Sequence, residues 1–579
     1  MQEKRHTVDF CVIGGGLAGM SAAITAARHG AKVLLMQDRP VLGGNASSEI
    51  RMWVCGAHGD YNRETGIIEE IMLENLYRNQ GKNWSLWDSV LYEKVKYEDN
   101  ITLLLNCSCN EAKMEDNKIK SVKGWQLTTE TWHTVEAGLF ADCSGDSILA
   151  PLTGAEFRIG REASSEFNES IEPEQADDKT MGMSCLIQAR ETDRPQTFVA
   201  PDWAYTYKSD QELPNRGHDI SKTNFWWIEV GGEKDTIHDT EELRDELLKI
   251  ALGVWDHIKN QGDHGAENWQ IEWMGFLPGK RESRRYVGDY ILNQNDVRAE
   301  GRFDDLVAYG GWSMDDHHPA GFNYPGEPTI FHPAPSPFGI PYRSLYSKNI
   351  ENLFFAGRNI SATHAAMSAS RVMATCATLG QAVGTAAAIA IDNQITPRGV
   401  YKRKIEELKQ TLLTDDCYLP WNKYQVSALS MKAKLNATED NTQILRNGIE
   451  RPLAGEMNYW QGSIGSSIEY SFDKLEEIKQ IRFVFDSDLK EENNGHRHMN
   501  MPCKYPLDVE YKGVPETMLR KYKVEILDDH GQWQKIIQEE NNYQRLVKYI
   551  GEWKTKAIKF TPEKTWGSKK ANIFSWDLN

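Results

Sequence analysis

The sequence predicts an α/β domain built on a parallel sheet, interrupted by an α+β insert and followed by an all-β sandwich of jelly-roll type. Three observations carry this prediction. A glycine triplet, Gly14-x-Gly16-x-x-Gly19, stands between an apolar run at 8–13 and a small-residue helical stretch at 17–29. A short apolar run returns at 353–356 and ends on Gly357, late enough to close a sheet begun near the N-terminus. From about residue 427 the pattern changes to short alternating segments separated by turn residues.

The first element is a βαβ unit. Gly30 supplies a C-cap after the helical stretch, and 31–36 reads as the second strand. Gly14 allows the tight turn, Gly16 lets backbone approach a pyrophosphate, and Gly19 allows close helix–strand packing. The helix start at Leu17 and Ala18 offers unpaired N–H groups to phosphate oxygens. Where the second strand ordinarily ends in a carboxylate that holds ribose hydroxyls, this chain has Gln37, then Asp38 and Arg39. An amide still bonds a diol, without charge assistance, so Gln37 is the ribose candidate and Asp38 the fallback. Arg39 only slightly weakens the exclusion of a 2′-phosphate.

Three further segments extend the pattern: Gly43-Gly44-Asn45 with Ser47, then Ser144-Gly145-Asp146 after an apolar strand, then Gly357-Arg358. In this order they resemble the fingerprints of glutathione-reductase-type FAD proteins. The stretches "GGNASSEIRMWVCGAHG", "PGKRESRRYVGDYIL", "SMDDHHP" and "NLFFAGRNISATHAAMSASRVMATCATLGQAVGTAAA" resemble more narrowly one family. It is the FAD-dependent oxidoreductase family found beside carbohydrate-utilisation genes of gut Bacteroidetes, related in fold to fumarate reductase flavoproteins. The resemblance covers roughly residues 8–405 and implies FAD as cofactor. A second glycine triplet is absent, so no separate nicotinamide domain is expected.

Composition narrows the partners. Lys+Arg 66 against Asp+Glu 84 gives a net charge of −18, which argues against nucleic acid or an anionic membrane. No apolar run is read as approaching a bilayer span, and no signal peptide precedes the first strand, so a cytoplasmic protein is expected. The nine cysteines include no CxxC pair. Cys107 and Cys109 share one strand face as reduced thiols, and Cys109 is placed among the cofactor-side residues.

Flavin chemistry requires a proton carrier beside the reacting carbon and benefits from nearby positive potential. His364, seven residues after Gly357, is the first candidate. His317 follows in "SMDDHHP", read as a loop that also holds Asp315, Asp316 and His318; His58 stands in "CGAHGD". Among the cations Lys280, Arg281, Arg284, Arg285, Arg51 and Arg371, spacing does not choose; Arg284 is carried as the candidate. No metal is expected, since adjacent Asp and His residues lack ligand spacing. Two helix starts fit around His364: a cap at Ser361 or Thr363, or one at Ser368 or Ser370. The later start is preferred; it sets the N–H groups of Val372 and Met373 at the flavin and His364 on the preceding loop.

The expected domains are 1–154 with 340–405 (FAD-binding), 155–339 (substrate insert), 406–426 (linker helix) and 427–579 (sandwich). Within the insert, 239–261 reads as a helix and the acidic stretch 162–180 as a mobile loop. The last domain resembles discoidin or galactose-binding-like modules, which implies a glycan contact or an oligomer interface. The expected activity is hydride transfer between a sugar-like or polyol CH–OH and the flavin. The alternatives are fumarate-reductase-like reduction of an activated C=C bond and a non-catalytic glycan-binding scaffold.

Overall fold

The computed structural model describes residues 2–220, 223–439, 441–490 and 501–579. They form two compact units. The first holds 2–57, most of 82–408, and 501–511; the second holds 58–81, 409–490 and 512–579, without residue 440.

The first unit is organised by one sheet. Strand β1 (Gln2–Ile13) leads through α1 (Leu17–Arg28) to β2 (Val33–Met36), and β3 (Ile101–Leu104) follows. A meander of β4 (Cys107–Glu115), β5 (Lys118–Gln126) and β6 (Thr131–Asp142) completes it, in the order β3-β2-β1-β6-β5-β4. β1 pairs in parallel with β2 and β6. β6 uses its first half for β5 and its last three residues for the parallel strand Leu353–Phe355. This late strand returns beside the glycine turn, as its sequence position requires.

Small residues allow the helices above the sheet to touch backbone to backbone. A Cβ on Gly380 would lie 2.0 Å from the Ala18 carbonyl oxygen, and one on Gly384 2.3 Å from that of Ala22. Both glycines belong to the helix Met373–Asn393, which is long and apolar enough to cross a bilayer. That corrects the sequence expectation of no such run. Nearly all of this helix is buried inside the structure, so its apolarity serves the packing against α1.

The insert carries the predicted helix as Thr240–Asn260, whose buried face, with Leu247 and Trp255, shares one apolar core with Phe225 and Trp227. The supposed loop around "SMDDHHP" is a strand instead, Met314–His317, paired with Thr329–His332. The acidic stretch 162–180 is no mobile loop, since Glu162, Glu169 and Glu172 are buried in it.

The second unit is an antiparallel sandwich whose predicted short strands fuse. Segments near 468–473 and 478–486 become one bent strand, Ile468–Phe485, and two more merge into Leu546–Thr565. Register shifts between Ser471 and Glu476 carry the first of these across a bend. Phe483, Phe485, Tyr522, Phe560 and Trp576 stack in its core.

The domain boundaries differ from the sequence reading in two places. Segment 58–81, expected in the first domain, contributes the helix Ile67–Arg78 to the second unit. There Tyr77 stacks on Tyr543 with centroids 4.0 Å apart, and Gln544 donates to the Glu70 carbonyl. Conversely Lys504–Tyr505, expected in the sandwich, pairs with Ile187–Glu191 of the insert. Both exchanges are long-range pairings that local pattern does not encode.

The glycine crossing is testable. Gly380→Ala adds a methyl where no space exists, so it should cost about 1–3 kcal/mol, against a gain of roughly 1 kcal/mol for Gly→Ala in an open helix. Thermal unfolding checks this; an unchanged or raised midpoint contradicts the crossing.

Candidate active site

The glycine turn forms a cradle of bare backbone. Gly14, at φ +101°, leaves β1 so close to the next strand that a Cβ would lie 2.5 Å from Cys143 and Ser144 backbone atoms. A Cβ on Gly19 would lie 1.8 Å from the Gly14 oxygen, and one on Gly16 would meet only the Gly44 Cα, at 3.9 Å. Gly16 and Gly43 form a parallel bridge, so two glycine backbones face each other across a narrow cleft. α1 starts on Gly16 without a side-chain cap, leaving the Leu17–Ala18 end open to an anion.

Gln37 is buried and braces this cradle: its Oε1 accepts from Gly15 N at 2.6 Å, and its Nε2 donates to the Val41 carbonyl at 3.2 Å. Asp38 is the more open neighbour, 3.7 Å from Arg39. Ser47 is buried and its hydroxyl accepts from Glu49 N; Asn45 donates to the Lys280 carbonyl at 3.1 Å, tying the Gly43-Gly44 segment to the insert.

Across the cleft, Ser144 caps Asp142, and Asp146 is held by Arg358 at 2.7 Å and Lys280 at 3.0 Å. Asp146 loses water on burial, yet these two cations outweigh that loss and hold its carboxyl below the usual range. Gly145, at φ +78°, makes room for the Arg358 guanidinium. Cys109 is buried, and burial and Asp142 push its thiol up to about 12, so it is a neutral filler. The buried Arg358 Nε and Asn359 Oδ1 have no partner among the described residues. A cleft of bare glycine backbone, an uncapped helix start and such open polar atoms fit a dinucleotide with a polar ring edge.

A second constellation lies in the insert and the last helices. Alternation along Met314–His317 puts Asp315 and His317 on one face and Asp316 on the other. His317 shares Nδ1 with Glu229 at 2.6 Å and Nε2 with Asp315 at 3.3 Å, and the Trp226 ring stands edge-on to it at 5.3 Å. Arg371 bonds Asp315 at 3.1 Å; Arg281 bonds Ser184 and the Trp226 carbonyl and lies 3.4 Å from Glu229.

Asp316 turns to His364. That imidazole bonds Glu282 through Nδ1 at 2.8 Å and Asp316 through Nε2 at 3.1 Å. Burial disfavours its charged form, but Glu282 and Asp316 prevail and hold its pKa well above the ordinary range. Each ring nitrogen faces a carboxylate oxygen at hydrogen-bond distance, an arrangement that a doubly protonated imidazole satisfies. Glu282 is in turn paired with Arg285 at 2.7 Å.

The helix start resolves differently from the preferred reading. His364 is the first residue of a short helix, His364–Ser370, capped by Thr363; the long helix begins separately at Met373 with Val372 as an N-cap that offers no side-chain bond. Ser368 and Ser370 lie inside the short helix and cap nothing. The short helix is anchored by acids: His364 N donates to Glu162, Ala365 N to Glu172, and the Thr363 hydroxyl to Glu169. Burial pushes Glu172 up to about 7.

The structure thus gathers His364, His317, Arg281 and Arg371 through Asp315, Asp316 and Glu229. It does not gather the others. Arg284 points to the Asp146 carbonyl and the Phe157 ring, 5.6 Å away. Its neighbours Arg281 and Arg285 occupy the network, 3.4 Å from Glu229 and 2.7 Å from Glu282 respectively. His58 opens the segment that folds with the second unit. His318 stacks on Tyr324, and Arg51 on Trp84 and Trp273. Sequence reading missed Glu162, Glu172, Glu229 and Glu282. The signal for the last two was present, since each is an acid inside a strand-like or basic run, "WWIEV" and "RESRR".

Forty residues of the chain are 60% identical to fumarate reductase (cytochrome) of Shewanella frigidimarina, 7% of each protein. Seventy-two are 41% identical to NADH:acrylate oxidoreductase of Vibrio harveyi, 12% of this chain and 7% of that one. The chain therefore spans 7% of the length of these curated relatives. A family 32 carbohydrate-binding module from Streptococcus pneumoniae EndoD aligns over 26% of this chain and 99% of its own, at 11% identity and a TM-score of 0.20. The family model described as FAD dependent oxidoreductase matches residues 9–412, which include the glycine cradle and the histidine–carboxylate network; the chain belongs to that family.

Proposed function

We propose that the protein interconverts a CH–OH and a carbonyl on a neutral, hydroxyl-rich substrate of sugar or polyol type, with the proton moved at His364 Nε2. FAD, when bound, supplies the two-electron chemistry. Leu17, Ala18, Gly14, Gly16, Gly19, Gly43, Gly44, Asn45 and Ser47 line its pyrophosphate side in this reading. Gln37 and Asp38, with Arg39 beside them, stand at its ribose, with Cys109 behind. Ser144, Gly145, Asp146, Gly357 and Arg358 stand along the chain to the ring, and the uncapped helix start at Val372 and Met373 offers its positive end there.

The observation that carries the proposal is the pairing of His364 with Glu282 and Asp316. Asp316 is the outer member, with 21% of its side chain exposed, while Glu282 is wholly enclosed. The pair holds a proton at Nε2 and offers a carboxylate oxygen to a neighbouring hydroxyl. Arg281, Arg285 and Arg371 each already face a carboxylate, so this network has little positive charge to spare for an anionic substrate. Trp226 beside His317 gives a flat apolar surface suited to a sugar face.

A His364 that is charged at neutral pH donates to a developing alkoxide as a carbonyl is reduced. In the oxidative direction it must first be neutral. Glu282 is a positioning residue here: it sets the charge of His364 without standing at the open side.

Reduction of an activated C=C bond is the second reading. Arg371 Nε is buried with no partner among the described residues, which leaves one donor for a substrate carboxylate. The two curated relatives are named for fumarate and acrylate.

Anaerobic mixing of the oxidised holoenzyme with sugars and polyols should bleach the flavin. Failure across the panel, together with reoxidation of the dithionite-reduced enzyme by an enoate, rejects the first reading for the second. His364→Gln should retain the flavin spectrum while kcat falls about 10²–10⁴-fold; a loss under tenfold removes His364 from the chemistry. The oxidative rate should rise with pH through the raised His364 pKa. Glu282→Gln removes the charge that raises it, so that limb should move to lower pH; an unmoved limb contradicts the assignment.

A further inference from the structure

A different cluster lies in the insert, apart from every residue used above. Asp210 opens the turn Asp210–Glu212, His218 follows on the next loop, His257 sits in the last turn of the helix Thr240–Asn260, and His264 lies just beyond it. One ligand atom from each of the four falls within 4.8 Å of the others. The Nε2 atoms of His257, His218 and His264 stand 3.0, 3.5 and 3.8 Å from the same Asp210 Oδ1. Zn–N bonds of about 2.0–2.1 Å place tetrahedral ligand atoms about 3.3 Å apart, and the three distances bracket that edge.

Hydrogen bonding settles which nitrogen faces inward. His257 Nδ1 meets the Tyr207 carbonyl at 2.9 Å and His218 Nδ1 the Arg216 carbonyl at 2.7 Å. A carbonyl only accepts, so each Nδ1 carries hydrogen, and a neutral ring then directs its Nε2 lone pair at the cluster centre. This is the backbone support that metal-bound histidines have. His264 Nε2 is buried there without a hydrogen-bond partner among the described residues. A Cβ on Gly262 would come within 3.0 Å of that atom, so glycine leaves the ring its place. His257 Nε2 reaches Asp210 at hydrogen-bond distance, 3.0 Å, which a protonated ring satisfies; with all three rings neutral, their lone pairs and the carboxylate converge on one spot that suits a cation.

We propose that Asp210, His218, His257 and His264 bind a divalent transition cation, zinc by ligand type, as a closed structural site. Imidazole with one carboxylate selects a borderline metal over calcium or magnesium, and four protein ligands leave no position for substrate. The site fastens the loop that carries Arg216. That guanidinium donates to the carbonyls of Gly321, Tyr324 and Gly326, in the segment between the strands Met314–His317 and Thr329–His332. The metal thus steadies the carrier of Asp315, Asp316 and His317 from behind. Compact-spacing rules miss it, because the ligands are 8, 39 and 7 positions apart.

The test uses the full-length, flavin-loaded protein expressed with zinc and dialysed. Elemental analysis should find about one equivalent of zinc, and His264→Gln and Asp210→Asn should lose it while the flavin content stays. Because a variant can misfold, the wild type carries a second readout. After chelation, cobalt(II) should restore the lowered thermal midpoint and give the strong visible bands of a tetrahedral site. Wild-type protein with neither retained zinc nor cobalt bands overturns the proposal, as does equal metal content in folded variants.

Discussion

The buried imidazolium of His364, clamped between Glu282 and Asp316, is the interaction on which the substrate side of this protein depends. A charge in an enclosed position is unfavourable unless its neighbours compensate it. Here two carboxylates do so, and one of them is itself balanced by Arg285. The requirement spreads outward. Glu162, Glu169 and Glu172 meet the start of the same short helix, so an acidic stretch of the insert becomes fixed interior. The pH behaviour follows: at His364 and Glu172, whose pKa values are raised, the native state binds more protons than the unfolded chain. Their contribution to stability is therefore lost as pH rises, for Glu172 from about its unfolded value through about 7 and for His364 above its ordinary range.

The cofactor side rests on a simpler constraint, the absence of side chains. Gly14, Gly16, Gly19, Gly43 and Gly44 bring β1, α1 and the following loop to backbone contact, and Gly380 and Gly384 repeat the device between helices. Electrostatics enter only at the rim, where Arg358 and Lys280 hold Asp146. Lys280 and Arg281 are sequence neighbours, yet one serves the cradle and the other the histidine network. The short run "KRESRR" therefore links cofactor and substrate sides: Lys280 and Ser283 bond Asp146, while Arg281, Glu282 and Arg285 join the histidine network.

Much of this was legible in the sequence because it is local. The glycine spacing, the strand–turn at Gly357 and the alternation of the sandwich each depend on residues within a few positions. His364 and His317 were legible as chemistry-bearing groups near the expected cofactor. Their partners were not, since Glu229, Glu282 and the acids of 162–172 reach them only through tertiary pairing. Arg284 was chosen over Arg281 because a run of basic residues does not show which members turn inward. The exchange of 58–81 and 501–511 between units was hidden for the same reason.

The protonation of His364 tests the central claim most directly. In the flavin-loaded protein with isotope-labelled histidine, its ring resonances, assigned by their loss in His364→Gln, can be followed against pH. The account predicts an imidazolium that persists well above the ordinary histidine range, while surface histidines titrate normally. A His364 that titrates at or below that range would contradict it.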